Sequence, residues 1–445
     1  MAQNNIDYLR KKLIKHIPRV DARYGYYNMK KLYSTYSFTI PAHIQAIFRA
    51  NLGWTTKSVD TLADRLIFRE FSNDNFDLNE IFTMNNPDTF YDSAILSALI
   101  ASCCFVYISE DEDGYPRLQV LQANEATGII DTTTGLLKEG YAVLEKDEFK
   151  RPKVEAYFEP FKTTIINSKD RTVRVYDHKS PAPLLVPVIN RPDAERPFGR
   201  SRISRASIYW QAYAGRVLER SDVTAEFYSW PQKYVVGTSQ DSDPLDSWKA
   251  TISSMLEFTK DEDGDKPVLG QFNAPSMSPF MDQIRMAAAG FAGETGLTID
   301  DLGFVTDNPS SAEAIKAAHE TLRVTARKAQ RNFASGFLNV GYLAACIRDD
   351  YPYRRNQFYK SVGKWEPIFE PDAATISSIG DGVIKINQSV PGYFGKDNLR
   401  DLTGLEGDVD EVGYFNRIIG ETSVGIQEGN RSSIQVESDQ EENPE

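Results

Sequence analysis

The sequence predicts an α+β fold, mostly helical, divided into about two to four domains. Three observations carry that reading. Helical periodicity runs through long stretches at both ends of the chain. Short strand runs crowd between residues 106 and 189. A length of 445 residues, 41% of them hydrophobic and 25% charged, suffices to bury a core.

Ile6, Leu9, Leu13 and Ile17 repeat at helical spacing with Arg10, Lys11, Lys12 and Lys15 on the other faces, so a docked surface helix is expected there. Val59, Leu62, Ala63 and Leu66 mark a second helix. Asp88 is placed to cap a third, running through Ala94, Leu96, Leu99 and Ile100 toward Phe105. The apolar stretch 94–108 is interrupted by Ser97 and Ser102 and falls short of the ~20 residues a membrane span requires. It reads as a buried helix with Cys103 and Cys104 inside it. From 106 to 189 the period shortens into LQVLQ, GYAVL, PKVEAYFEP, KTTIINS, TVRVYDH and LLVPVI, separated by turn pairs such as Asp113-Gly114 and Thr134-Gly135. The connection NRPDAERPFGRS, 190–201, closes this first domain.

Beyond Gly199, Ile203, Ala206, Trp210, Tyr213, Val217, Thr224 and Tyr228 define a helix of about thirty residues, about 45 Å long. A strand at 232–236, a helix capped by Asp243 with Pro244 at its first position, the acidic turn DEDGD and the strand PVLGQ make residues 231–277 a small α/β insert. A second helix starts at Ser278-Pro279 and carries Phe280, Ile284, Ala287, Ala288 and Phe291 on one face. The polar loop LTIDDLGFVTDNP follows. Ser310 and Glu313 then fit a capping box for a very long helix reaching about Asp350, about forty residues or about 60 Å. Helical signals return at 372–386 and 396–402. Residues 421–445 hold seven acidic residues against Arg431 and lack aromatics, the composition of a disordered tail.

The chemistry of an enzyme is missing from the pattern. No G-x-x-x-x-G-K-[ST] loop exists to hold a nucleoside triphosphate, and neither G-x-S-x-G nor H-E-x-x-H occurs. His16, His43, His178 and His319 fall singly on separate elements, so no metal cluster or base–nucleophile pair is implied. Asp261, Asp263 and Asp265 suggest a calcium loop, but Gly264 and Phe272 stand where that loop needs other residues. No catalytic residue, cofactor or metal is therefore expected. The first residues show no apolar signal segment, and the three cysteines suit a reduced core, so a cytosolic chain without a membrane role is expected. The net charge of -13 argues against a broad basic face that grips DNA, though not against a conduit through which DNA slides.

The order of parts matters most: an α+β domain, a helix, an insert, a second helix, a polar loop and a very long helix. Residues 293–333, GETGLTIDDLGFVTDNPSSAEAIKAAHETLRVTARKAQRNF, preceded by PFGRSRI at 197–203, resemble the portal proteins of tailed double-stranded DNA phages. The resemblance is to the siphophage type and runs over roughly residues 20–405. It implies a ring of twelve subunits, each with wing, stem, clip and crown. By that resemblance the wing takes 1–196 and 311–370, the stem helices 197–230 and 278–297, the clip 231–277, the tunnel loop 298–310 and the crown 371–420. It further implies genome packaging and ejection at one capsid vertex. The implied partners are double-stranded DNA, a terminase, a head–tail adaptor, and the major capsid and scaffolding proteins, in a virion assembled in the host cytoplasm. The rival readings are another virion component, such as a capsid or connector protein, and a metal-dependent nuclease.

The tunnel loop would comprise Thr298, Ile299, Asp300, Asp301, Leu302, Gly303, Phe304, Val305, Thr306, Asp307 and Asn308. Its carboxylates would repel the DNA backbone while Ile299, Leu302, Phe304 and Val305 pack loop against loop. Strong basic contacts would each add a barrier to sliding. Arg285 and Lys316 are candidate phosphate contacts. The stripe Arg323, Arg327 and Arg331 either meets DNA or pairs with acidic groups of a neighbouring subunit. Lys233, Trp248 and Lys249 are candidate clip contacts for partners, with buried packing the alternative for Trp248.

Overall fold

A computed structural model describes residues 5–30, 51–229, 233–236, 268–271, 276–304, 315 and 317–405. Two compact units result, residues 1–365 and 366–445. In the first, helices and antiparallel sheets mix as the sequence predicts.

Helix α1 (Asn5–Tyr27) buries Leu9, Leu13 and Val20 on the stripe that the spacing sets. Leu9 and Leu13 pack on Tyr141 and Val143 of the five-stranded sheet. A polar clamp reinforces the contact: Arg10 donates through Nε and Nη2 to the two oxygens of Glu155, at 3.1 and 2.7 Å, and Tyr141 Oη donates to the same carboxylate. Glu155 is only 6% exposed, so these three donors replace its lost hydration.

Helices α2 (Trp54–Ala63), α3 (Leu78–Thr83) and α4 (Pro87–Ala101) follow, with β1 (Phe68–Ser72) after α2. Asn86, not Asp88, holds the N-cap position of α4, because Pro87 fills the first helical turn where its missing N–H costs nothing. The apolar stretch 94–108 is also not one helix. At Ser102 the backbone takes φ +91°, the helix ends, and β2 (Cys103–Glu110) begins with both cysteines in it. An all-apolar run buried on every side has no period to separate the two elements.

Strand β2 is the centre of a three-stranded antiparallel sheet, between β3 (Pro116–Gln122) and β9 (Leu185–Ile189). The intervening strands β4 (Ala126–Ile130), β5 (Leu137–Lys146), β6 (Pro152–Glu159), β7 (Lys162–Asn167) and β8 (Thr172–Asp177) form an antiparallel meander in sequence order. The alternating runs thus become strands almost where they stand in the sequence.

Two helices come next: α5 (Arg205–Ser229) and, after the short strands β10 (Lys233–Val236) and β11 (Val268–Gln271), α6 (Ser278–Thr295). A 3₁₀ turn at Asp300–Leu302 leads toward α7 (Glu320–Arg348). This helix is shorter than expected, 29 residues against about forty and about 44 Å against about 60 Å. The chain is helical at Ile315 and Ala317–Ala318, but it turns at His319, with φ -87° and ψ 3°, before α7 resumes at Glu320. The proposed capping residues Ser310 and Glu313 lie outside the described residues.

Every residue from Gly336 to Cys346 is buried, because α7 crosses the core between β9 and α3. Gly336 faces Val188, and Gly341 faces Leu78 and Phe82. Around it gather Phe68, Phe82, Phe90, Tyr91 and Phe337, with centroid spacings of 4.5 to 6.0 Å, and Trp365 of β12 (Val362–Trp365), which pairs with β1.

The second unit contains α8 (Ala373–Ser389) and α9 (Lys396–Thr403). Asp372 caps α8 by accepting from Thr375 N at 2.7 Å. Asn387 braces the connection, donating to Phe394 O and accepting from Phe394 N. No helix among the described residues is long and apolar enough to cross a membrane.

Candidate functional site

Within 197–304, α5 and α6 form an out-and-back pair of helices. Ser204 Oγ, at the start of α5, donates to Glu294 Oε1 at the end of α6, at 2.8 Å, and Trp210 lies over Gly290, so the helices run antiparallel. Between their far ends β10 and β11 pair antiparallel, Lys233 with Gln271 and Val236 with Val268. Ala214 and Val217 meet Ile284, Ala287, Ala288 and Phe291. The small side chains of Ala287 and Ala288 let α5 approach α6 closely.

The hairpin is fixed to the rest of the unit at its root. Trp54 of α2 packs on Phe291 with ring centroids 5.5 Å apart. Gln211 spans the same junction, accepting from Thr55 N at 2.7 Å and donating to Leu52 O at 2.6 Å. The motif 197–203 forms the joint. At Gly199 φ is +73°, and a Cβ would stand 2.1 Å from Asn190 O, so only glycine closes the turn. Arg200 N donates to Asn190 O and Asn190 Nδ2 returns a bond to Arg200 O. Ser201 Oγ donates to Ile100 O, and Arg202 reaches Ser58 O at 3.2 Å as well as Thr295 O. Burial brings the Arg202 guanidinium down to about 10, and the neighbouring Arg191 pushes the same way.

The described part of the loop is ordered by its own side chains. Thr298 N donates to Asp301 Oδ2 at 2.9 Å, and Asp301 N donates to Thr298 Oγ1 at 3.1 Å, a reciprocal pair that starts the 3₁₀ turn. Asp301 therefore spends its carboxylate on backbone, with His319 Nδ1 at 4.0 Å, whereas Asp300 is exposed. Gly303 turns with φ +91°. Leu302 and Phe304 pack on the hairpin's own apolar cluster, and Ile299 is the apolar loop residue left exposed, at 36%. Val305, Thr306, Asp307 and Asn308 lie outside the described residues, as do Lys316, Trp248 and Lys249.

Arg285 is exposed on α6, beside buried Ile284. Met281 and Met286 are 59% and 51% exposed on the same helix, and Tyr209 of α5 is 55% exposed. Arg323 forks onto Glu320 of its own helix at 2.7 and 2.8 Å, and this pair holds the Glu320 carboxyl below the usual range. Arg327 and Arg331 are exposed on α7. Lys233 is the first residue of β10. Sequence reasoning missed the loop's capping pair and the contact between Asp301 and His319. The T-x-x-D spacing of Thr298 and Asp301 was the available signal for the first.

Among the described residues, no group of three or more His, Cys, Asp or Glu side chains could hold a metal ion. Cys103, Cys104 and Cys346 are buried free thiols, and burial pushes Cys103 to about 12 and Cys346 to about 11.

No protein-family model matches the sequence. The chain is 24% identical over 320 residues to the portal protein of Mycobacterium phage L5, and equally to that of Mycobacterium phage D29. Among solved structures it is similar to a chain of the virion of a native gene transfer agent particle, at 13% identity and a TM-score of 0.42, covering 87% of this chain and 100% of that one. A chain of the neck of the empty particle, computed with C6 symmetry, gives 13% and 0.44; one of the native neck, computed with C12 symmetry, gives 14% and 0.43. Each of these two likenesses covers 82% of this chain and 94% of the other. The sequence is thus similar to phage portal proteins, the family that residues 197–203 and 293–333 resemble, over 67% of this chain and 65% of either relative's length.

Proposed function

We propose that this chain is a portal protein: copies of it close into a ring around an axial channel, through which double-stranded DNA enters and leaves a capsid. The observation that carries the reading is the sequence similarity to two phage portal proteins over 320 residues. The antiparallel helix pair with a short β ribbon at one end and an ordered acidic turn at the other supports it. In this reading α5 and α6 are the stem, 231–277 the clip, 298–310 the tunnel loop, 1–196 with 311–370 the wing, and 371–420 the crown. The exposed Tyr209, Met281 and Met286 face neighbouring copies. Arg285 and Lys316 are the chain's candidate phosphate contacts.

The ring has twelve members and hydrolyses nothing; a separate terminase turns over ATP while docked on the clip, and a head–tail adaptor later takes its place. Major capsid and scaffolding proteins meet the wing during assembly in the host cytoplasm. Electron microscopy of the purified protein tests the reading. Rings with an axial hole are expected, and incubation with linear DNA and magnesium should leave the DNA intact. A compact monomer by microscopy and light scattering, or DNA degradation, would sink it.

A further inference from the structure

A cleft of about 1210 Å³ opens beside the root of the hairpin, between α1, the connection 190–206 and the edge of the core. Its walls are basic in a chain whose net charge is -13. From α1 come Lys12, Arg19 and Arg23. The connection and the start of α5 add Arg191, Arg196, Arg200, Arg202 and Arg205. Against these eight cations stand two carboxylates, Asp193 and Glu294, an excess of six positive charges. Asp193 is already engaged by Arg200, at 2.6 Å, and Glu294 accepts from Ser204.

The innermost cations are anchored to main-chain carbonyls rather than to acids. Lys12 donates to Gly128 O at 2.6 Å and lies 4.9 Å from the Phe198 ring centroid. Arg23 donates to Ala101 O at 2.6 Å, and Arg202 to Ser58 O and Thr295 O. These bonds orient the groups without neutralising them. His16 responds to the resulting field: burial lowers its affinity for a proton, and Arg19, Lys12 and Lys15 lower it further. Crowding like charges where water is restricted is unfavourable unless a counter-anion fills the site.

We infer that this cleft is a binding site for closely spaced phosphates, as carried by a nucleic-acid strand or by an inorganic polyphosphate. A single carboxylate would leave most of the excess uncompensated, and seven of the eight cations are arginines, whose planar forks grip phosphate oxygens two at a time. The site does not depend on ring closure, so it stands or falls separately from the portal reading. It is also distinct from Arg285 and from the loop 298–304.

The test is fluorescence anisotropy with a labelled twelve-nucleotide oligo-dT, with tripolyphosphate and polyglutamate as competitors, on the full chain. Arg191, Arg196 and Arg205 are exposed, so R191E/R196E/R205E should keep the wild-type melting temperature. Oligo-dT should bind with an affinity that falls steeply with salt, and the triple variant should lose at least about tenfold while R174E, on the exposed strand β8, changes little. Binding of tripolyphosphate without oligo-dT, read by isothermal titration calorimetry and lost in the triple variant, would assign the free polyanion as the ligand. Binding of neither probe, binding that survives the triple substitution, or equal competition by polyglutamate would overturn the assignment. A chain that binds oligo-dT through these arginines yet forms no ring would keep the cleft and lose the portal.

Discussion

Glu155 shows how one buried carboxylate ties a helix to a sheet. Its oxygens receive both Arg10 donors and the Tyr141 hydroxyl, and the pairing raises the Arg10 guanidinium further above its ordinary value. Glu155→Gln keeps the shape but removes the charge, and should lower stability by about 1.5–3 kcal/mol in urea unfolding. Lys153→Ala, which breaks an exposed pair with Glu145, should lower the urea midpoint far less. Equal losses would mean that the clamp contributes no more than surface charge does. His16 supplies the pH dependence. Its folded form binds a proton less readily than the ordinary 6.5, so between the folded and unfolded values the unfolded chain holds more protons. The corresponding stability is complete above about pH 6.5 and is lost as pH falls through the window beneath it. His16→Gln should therefore unfold with a smaller difference between pH 7.5 and pH 5 than the wild type does. An unchanged difference would place the acid sensitivity elsewhere.

At the scale of elements, the close packing of α5 on α6 turns on Gly290. A Cβ there would lie 2.4 Å from Trp210 Cε2, and the indole is held by Tyr209 and Tyr213 at 5.3 and 6.2 Å. Gly290→Ala should cost about 1–3 kcal/mol by overpacking. Gly293→Ala, on the same helix but with nothing within 4 Å, should stabilise by up to about 1 kcal/mol through helix propensity. Melting temperatures of the two variants check this, and a shared direction would count against the packing argument. Elements with a clear period were legible in the sequence: α1, the meander and the helix pair. What the sequence hid was either periodless or non-local. The run 94–108 is apolar on all faces, so only the φ of Ser102 reveals a helix becoming a strand. Strands β1 and β12 pair across almost the whole unit. The site was partly legible: the loop and its acidic turn were visible, but the basic cleft was not. Lys12 and Arg23 of α1 are far in sequence from Arg202 and meet it only when α1 docks beside the connection.

The whole molecule combines a net charge of -13 with a reading that requires many copies to stand side by side. Like charge between copies weakens with screening, so ring yield in the microscopy test should rise from low salt to physiological ionic strength. A yield that fell steadily across that range would indicate contacts made of ion pairs instead, the arrangement the stripe of Arg323, Arg327 and Arg331 would provide.

The burial of α7 has a mechanical corollary. Its C-terminal half is gripped on every side from Gly336 to Cys346, so it can neither slide nor roll without emptying the core. Ahead of that fixed rod His319 departs from helical dihedrals beside Asp301, while the bonds from His319 N to Ile315 O and from Arg323 N to His319 O carry the helical ladder through it.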